Sequence, residues 1–354
     1  MKVFVGLSGG VDSAVSAALL KQQGYDVTGV YMKNWSGDEY GIQADCPWEK
    51  DQSDAEEVCK VIGIEFRSFN FEKEYRAKVV EYFFKEYSKG RTPNPDVMCN
   101  KEIKFKLFLE KSKDFGADLI ATGHYARRVN DSDGVSHLLK GIDQKKDQAY
   151  FLYNLNQDQL SRTLFPVGEF EKPKVRELAR AFKLPNADKA DSQGICFIGE
   201  INVMKFLMAR IPEKKGLILD VDTGKVVGEH KGVFFYTIGQ REGLHIGGQL
   251  IPYFLVDKDI ENNILYVGHG NDHPKMLKKE AIIENLHLIR KVDEILDVDL
   301  TAAIRYRQKP QKGRLVREND KYKFIFLSNQ RAITSGQSLV IYLEDECLGG
   351  GIIV

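Results

Sequence analysis

The sequence predicts an α/β protein in which a doubly wound parallel-sheet domain is followed by two small β-rich domains, the last of them a β-barrel. Three observations lead there. The first 125 residues alternate strand-like apolar runs with amphipathic helical stretches, the rhythm of a parallel sheet wrapped by helices. Past about residue 205 the texture changes to short apolar runs between Gly- and Asp-rich turns. The length, 354 residues, exceeds what one ordinary core serves and suits two or three domains.

Taken in order, strands are expected at Val3 to Leu7, Val27 to Met32, Ile64 to Phe69 and Leu119 to Thr122. Helices are expected at Ser13 to Gln23, Gln52 to Ile62, Lys73 to Ser88 and Lys101 to Lys113, and again at Pro173 to Phe182 and Asn202 to Ile211. The first domain therefore extends over 1–205. A central β-rich domain, 206–273, holds candidate strands at Val233 to Ile238, Tyr253 to Val256 and Ile264 to Val267, and Gly268 to Pro274 reads as a linker. Ala281 to Arg290, Asp299 to Arg307, Lys321 to Leu327 and Ser338 to Leu343 supply strands for a terminal barrel over 274–354.

Composition narrows the class. Hydrophobic residues at 43% and charged residues at 29% fit a globular enzyme, and the apolar runs are strand-sized, far short of the roughly 20 residues a bilayer demands. Met1 leads straight into a strand, which leaves no signal peptide and sets the expectation of a cytoplasmic protein without membrane contact. Five cysteines, at 46, 59, 99, 196 and 347, include no close pair, which argues against a disulfide framework and against a Cys-x-x-Cys metal motif. Overall charge is balanced, 51 basic against 51 acidic residues, yet between Leu300 and Arg331 nine Lys or Arg face two acids. A local excess of that size suits a phosphate-facing surface.

The first chemical motif is Ser8-Gly9-Gly10-Val11-Asp12-Ser13, set between a strand and a helix. That context aims free backbone N–H groups at an anion, with glycines permitting close approach and the serines adding hydroxyl donors. It lacks the Gly-Lys-Ser/Thr of a Walker loop and the spacing of Gly-x-Gly-x-x-Gly. It resembles the PP-loop of the ATP pyrophosphatases, which adenylate a carbonyl oxygen and release pyrophosphate.

Two cysteines stand apart from the others. Cys99 lies at the end of the Pro-punctuated loop Arg91-Thr-Pro-Asn-Pro-Asp-Val-Met-Cys, just before the helix expected from Lys101. A helix N-terminus with Lys101 and Lys104 close by predicts a lowered thiol pKa there. Cys196 lies in Asp191-Ser-Gln-Gly-Ile-Cys-Phe-Ile-Gly, where flanking glycines leave the sulfur accessible. Cys59 and Cys347 read as core fillers, and Cys46 suggests no mechanism.

Together with Ala121-Thr-Gly-His-Tyr-Ala, Lys146-Asp-Gln-Ala-Tyr-Phe-Leu, Phe235-Tyr-Thr-Ile-Gly-Gln-Arg, Arg305-Tyr-Arg-Gln and Gly336-Gln-Ser, these motifs resemble the bacterial tRNA-specific 2-thiouridylase family and its mitochondrial counterparts over essentially the whole chain. The resemblance implies ATP-dependent 2-thiolation of the wobble uridine of tRNA. O2 of the base would be adenylated, the cysteine matching Cys196 would carry sulfur as a persulfide, and Cys99 would be the partner nucleophile, ending in a Cys99–Cys196 disulfide. Asp96 would be the acid or base near the uracil.

By the same matches, Gly6, Leu7, Ser8, Gly9, Gly10, Val11, Asp12, Ser13, Met32 and Gly123 would contact ATP; Asp12, by its place in the loop, could hold Mg2+ that comes with ATP or position the loop. Asn94, Pro95 and Asp96 would meet the flipped-out target base. His124, Lys146, Asp147, Gln148, Arg305, Tyr306 and Gln337 would touch the tRNA, Asp147 through a base or sugar rather than a phosphate. Read without the resemblance, His124 is a satisfied core histidine, and Arg305 and Tyr306 are equally an ordinary solvated barrel face. The implied partners are tRNA and an upstream sulfur donor, a cysteine desulfurase or relay protein, serving a monomer. Two rivals stay open: an amidating ATP pyrophosphatase, which needs no cysteine pair, and a nucleotide-dependent RNA-binding protein without chemistry. An iron–sulfur cluster drawing on Cys99 and Cys196 is open as well.

Overall fold

A computed structural model of the chain describes residues 1–36, 48–191, 196, 203–248, 250–291, 295–296 and 298–354. Cys46 and most of the segment around Cys196 lie outside the described residues.

The N-terminal sheet is parallel and has the order β3-β2-β1-β4-β7, built from β1 (Lys2–Leu7), β2 (Asp26–Lys33), β3 (Glu65–Asn70), β4 (Leu119–Thr122) and β7 (Thr163–Leu164). β1 sits in the middle, in register with β2 from Lys2↔Asp26 to Leu7↔Tyr31 and with β4 from Val3↔Leu119 to Gly6↔Thr122. Val3, Phe4 and Val5 are completely buried, as a strand covered on both faces requires. The covers are α1 (Val11–Gln22), α2 (Trp48–Ile62), α3 (residues 72–88), α4 (residues 95–114) and α6 (Lys172–Ala181), while the short α5 (Gln157–Ser161) precedes β7. Successive strands are added to one side of β1 as far as β3 and then to the other from β4, so the crevice at the carboxyl ends of β1 and β4 is the topological switch point where ligands bind in such sheets. Of the helix expected from Asn202, the described part is α7 (Val203–Met208).

The central sheet has the order β10-β11-β8-β9, from β8 (Gly216–Asp220), β9 (Val226–His230), β10 (Tyr253–Asp259) and β11 (Ile264–His269). The strand expected at Val233 to Ile238 is instead a tight helical turn at Val233–Phe235. Its N–H groups are claimed by side chains rather than a ladder: Gly232 N–H donates to His230 Nδ1 at 3.0 Å and Val233 N–H to Asn263 Oδ1 at 3.2 Å. The apolar run is a core signal, since Val233, Phe235 and Tyr236 are all buried, but not a strand signal. The expected linker from Gly268 to Pro274 is likewise ordered packing: β11 runs into it, and His273, 8% exposed, lies against Gly268 and within 3.2 Å of Asp222.

In the C-terminal region six antiparallel strands, β12 (Leu277–Leu288), β13 (Leu300–Ala303), β14 (Gln311–Glu318), β15 (Lys321–Arg331), β16 (Ser338–Leu343) and β17 (Glu346–Ile353), close into a barrel through β12–β17 pairs such as Ile283↔Ile353. Leu300, Leu315, Phe324, Phe326, Leu339 and Ile341 fill its interior. The strand expected over Asp299 to Arg307 stops at Ala303, and Arg307, at φ 62°, turns the chain while Gln308 accepts from the Ile304 N–H at 2.9 Å. Unforeseen from the sequence, the hairpin β5 (Ala126–Asn130) and β6 (Ser136–Lys140) leaves the N-terminal region and adds to the barrel sheet, β6 pairing with β17 at Leu138↔Cys347 and Leu139↔Glu346. The first 200 residues and the barrel thus share a sheet.

Among the described residues no helix is long and apolar enough to cross a membrane.

Candidate active site

The proline-rich run before Cys99 is a helix start, not a loop. Asn94 caps α4 by accepting the Val97 N–H at 3.2 Å, and Pro95, with no N–H to lose, takes the first helical position. The helix therefore begins six residues before the expected Lys101. Cys99 opens its second turn, where the backbone widens to i+5 hydrogen bonding through Leu107. Local widening of this kind is common at functional sites. Lys104, within the same widened stretch, is close enough to interact with both Cys99 and Cys196.

Cys99 and Cys196, 97 residues apart in sequence, meet with their sulfurs 3.8 Å apart. Cys196 is fixed through its backbone: its N–H donates to Asp96 Oδ1 at 2.9 Å, and its carbonyl accepts the Tyr75 hydroxyl at 2.7 Å. The electrostatics reverse the sequence expectation. Cys99 is wholly buried, and that burial, reinforced by donation to Cys196, pushes its thiol well above the ordinary range. Proximity to a helix N-terminus does not compensate, because the thiol faces the core and not the exposed helix end. The lowered group is Cys196, which the hydrogen bond from Cys99 and the nearby Lys104 ammonium bring down to about 7 despite burial. Lys104 stays protonated: burial opposes its charge, but Cys196, Cys99 and Asp96 outweigh it. Asp96 is raised by burial, with the Cys196 N–H and Lys104 opposing, which suits a carboxyl that exchanges a proton.

A test follows from this charge pattern. Iodoacetamide should alkylate Cys196 with a midpoint near pH 7, and Lys104→Met should slow labelling at neutral pH roughly tenfold by moving the midpoint upward. An unchanged profile in that variant would remove Lys104 from the account.

The phosphate loop occupies the switch point. Gly10 precedes α1 without any capping side chain, leaving the first N–H groups of the helix to a ligand. Gly9 has φ +73°, and a Cβ there would come within 2.7 Å of the Asp51 carbonyl oxygen. Ser8 and Ser13 are cross-tied, the Ser8 N–H donating to Ser13 Oγ at 3.2 Å and Ser13 Oγ to the Gly10 carbonyl at 3.1 Å. Gly6 lies against Met32, and Leu7, Val11, Ser13 and Met32 are buried behind the loop. Gly123, at the end of β4, packs so tightly on α1 that a Cβ would stand 2.5 Å from the Ser13 nitrogen. Gly123→Ala should therefore push the loop off its helix and weaken ATP binding by about tenfold or more, measured by calorimetry; wild-type affinity would contradict this packing.

These donors fit a triphosphate, and an adenylating enzyme would gain from them a stabilised pyrophosphate leaving group. Asp12, the residue expected beside Mg2+, is committed here to protein partners. Both its oxygens accept from the Lys172 ammonium, at 2.7 and 2.9 Å, and Oδ1 also accepts the Tyr125 hydroxyl at 2.8 Å. Among the described residues no group of three or more His, Cys, Asp or Glu side chains is arranged to hold a metal ion.

β4 joins the two halves. His124 follows Gly123 and is 7% exposed, with Nδ1 at 2.8 Å from Thr122 Oγ1 and its ring 5.6 Å from that of Phe105. Burial, helped by the Lys104 charge, keeps it neutral. The structure thus places His124 in the core beside the cysteine centre.

The remaining expected RNA contacts gather at the seam with the barrel, and several are already spent inside the protein. Asp147 Oδ1 accepts the Gly141 and Ala149 N–H groups at 3.0 and 3.1 Å, and Gln148 is zipped to Tyr125. Lys146 pairs with Asp191. Gln337 donates to the Thr92 and Pro93 carbonyls, at 2.8 and 3.4 Å, and so holds the chain where it enters α4. Tyr306 packs on Phe151, ring centroids 4.3 Å apart, while Arg305 and Arg307 are exposed. The rest of the basic run is partly neutralised, Arg314 by Asp299, Arg317 by Asp320 and Lys323 by Glu318 and Glu280. Cys59 and Cys347 are fully buried, and burial lifts both thiols, as fillers.

Sequence reasoning missed Tyr75, Tyr125, Lys172 and the hub at Asp191. Tyr125 and Asp191 lie within quoted motifs whose spacing gives them no role, and only the fold brings Tyr75 to Cys196 and the other three to Asp12.

Comparison with known proteins gives three consecutive family matches: a tRNA methyl transferase HUP domain over residues 1–200, a tRNA methyl transferase PRC-barrel domain over 204–269, and an aminomethyltransferase beta-barrel domain over 278–353. The chain is 51% identical over 357 aligned residues to a tRNA-specific 2-thiouridylase of Streptococcus thermophilus, covering 99% of this chain and 95% of the relative. It is 50% identical, with the same coverage, to the tRNA-specific 2-thiouridylase of Streptococcus mutans.

Proposed function

Because the chain belongs to the tRNA-specific 2-thiouridylase family, we propose that it thiolates C2 of the wobble uridine of tRNA in an ATP-dependent, two-cysteine reaction. Its main support in the molecule is the 3.8 Å contact between Cys99 and Cys196, with the more acidic thiol on Cys196.

The Cys196 thiolate attacks the outer sulfur of a donor persulfide, taking that sulfur and releasing the donor as a thiolate. ATP bound at Ser8 to Ser13 transfers its adenylyl group to O2 of the flipped-out uracil, and pyrophosphate leaves from the end of α1. The Cys196 perthiolate then attacks C2, AMP departs with the O2 oxygen, and the base is joined to Cys196 through two sulfurs. Cys99, its proton passed to a nearby base such as the Asp96 carboxylate, attacks the Cys196 sulfur. That forms the Cys99–Cys196 disulfide, frees 2-thiouridine, and leaves a disulfide that an external reductant must open.

Binding divides between two surfaces. Asn94, Pro95 and Asp96, half-buried at the start of α4, meet the base, while Arg305, Tyr306 and the 146–148 segment meet the tRNA body. Neutralising Arg305 and Arg307 together should flatten the log–log salt dependence of tRNA binding by about 0.7 for each phosphate left without its cation. An unchanged slope would take the barrel turn out of the interface. The protein acts as a cytoplasmic monomer, fed by a cysteine desulfurase or relay protein.

The activity test is to incubate unmodified tRNA with the protein, ATP, Mg2+ and a persulfide source and to quantify 2-thiouridine by mass spectrometry. Product is expected with ATP and not without it. Folded protein that forms none would refute the function.

A further inference from the structure

Lys172 opens α6 and is 8% exposed, an unusual place for a lysine unless its charge is matched. Its ammonium bonds both oxygens of Asp12, lies 2.7 Å from Asp191 Oδ1 and sits over the Tyr125 ring, 5.9 Å from the centroid. Asp12 belongs to the first turn of α1, so this cation stands at the positive end of a helix dipole, where a cation is disfavoured and an anion favoured. Arg176, one turn further along α6, reaches the same Asp191 at 3.3 Å, and Lys146 pairs with it as well. Asp143 completes the cluster by accepting the Lys172 N–H at 3.0 Å. Three cations are thus matched by three carboxylates beside a loop whose own N–H donors await an anion.

A clamp between α1 and α6 would need only one of these bonds. Lys172 instead has two alternative carboxylates, and one of them, Asp191, keeps Arg176 and Lys146 if Lys172 turns away. We propose that Lys172 is a ligand of the β- and γ-phosphates of ATP, held in reserve by Asp12 and Asp191 until the nucleotide arrives. The inference rests on ATP occupying the loop from Ser8 to Ser13. Lys172 acts on the leaving group and has no part in sulfur transfer.

Calorimetric titration with ATP, pyrophosphate and AMP separates a phosphate ligand from a structural ion pair. Lys172→Gln should weaken ATP and pyrophosphate by about tenfold or more and AMP by less than about twofold, and Lys172→Arg should recover most of the loss. Equal weakening of all three ligands, or of none, would overturn the assignment while leaving the nucleotide site intact. Wild-type protein that binds neither ATP nor AMP would overturn the site itself. Should Lys172→Gln fail to fold, Asp191→Asn removes a competitor for the lysine and should tighten pyrophosphate binding about threefold; unchanged or weaker binding would count against the proposal.

Discussion

Cys196→Ser should abolish 2-thiouridine formation, by at least about a thousandfold, while pyrophosphate release from ATP and tRNA stays measurable. The size of the effect follows from what is removed. Cys196 is the acidic member of the pair, brought to about 7 by the hydrogen bond from Cys99 and by Lys104, and a serine hydroxyl in its place neither ionises at neutral pH nor accepts sulfane sulfur. The phosphate loop lies on different elements, at the ends of β1 and β4, so adenylation has no direct need of the thiol. Persulfide labelling of the protein should vanish in the same variant. Thiolation at even a few per cent of the wild-type rate would mean that sulfur reaches C2 by another route.

Cys99→Ser should also stop turnover, but at a different point. Cys196 still loads sulfur and still attacks the adenylated base, so the reaction halts with tRNA joined to Cys196 through two sulfurs. A covalent protein–tRNA species should appear on a denaturing gel, and dithiothreitol should release it as 2-thiouridine. The high thiol pKa of Cys99 agrees with this later role, since the buried thiol becomes a nucleophile only when a base takes its proton at the resolving step. A variant that turns over normally, or that accumulates no adduct with tRNA, would remove Cys99 from the chemistry.

Much of this is legible in the sequence, and the failures have identifiable causes. The strand, glycine loop and helix at Lys2 to Gln22 are local features, set by apolar burial and by the conformational freedom of Gly9, and they read directly. The pairing of Cys99 with Cys196 is suggested only by family resemblance, because an approach across 97 residues leaves no periodicity. The inverted acidities have a similar origin. Sequence shows that Cys99 stands near a helix start but not that its side chain faces the core, and burial outweighs the helix dipole there. Pro93 and Pro95 suggest a loop, although Asn94-Pro95 is a cap followed by the residue best suited to a first helical position. Val233 to Tyr236 shows the converse, an apolar run whose backbone is captured by His230 and Asn263. Asp147, Gln148 and Gln337 match motif positions expected at RNA, yet their hydrogen bonds fix the protein's own turns. Arg305 and Arg307, by contrast, stand exposed on a turn.

The most direct test of the two-cysteine centre is a single turnover without reductant, starting from protein carrying one persulfide on Cys196. Peptide mapping should find one Cys99–Cys196 disulfide for each 2-thiouridine made, rising with the same rate constant. Formation of 2-thiouridine with both thiols still free would contradict the mechanism.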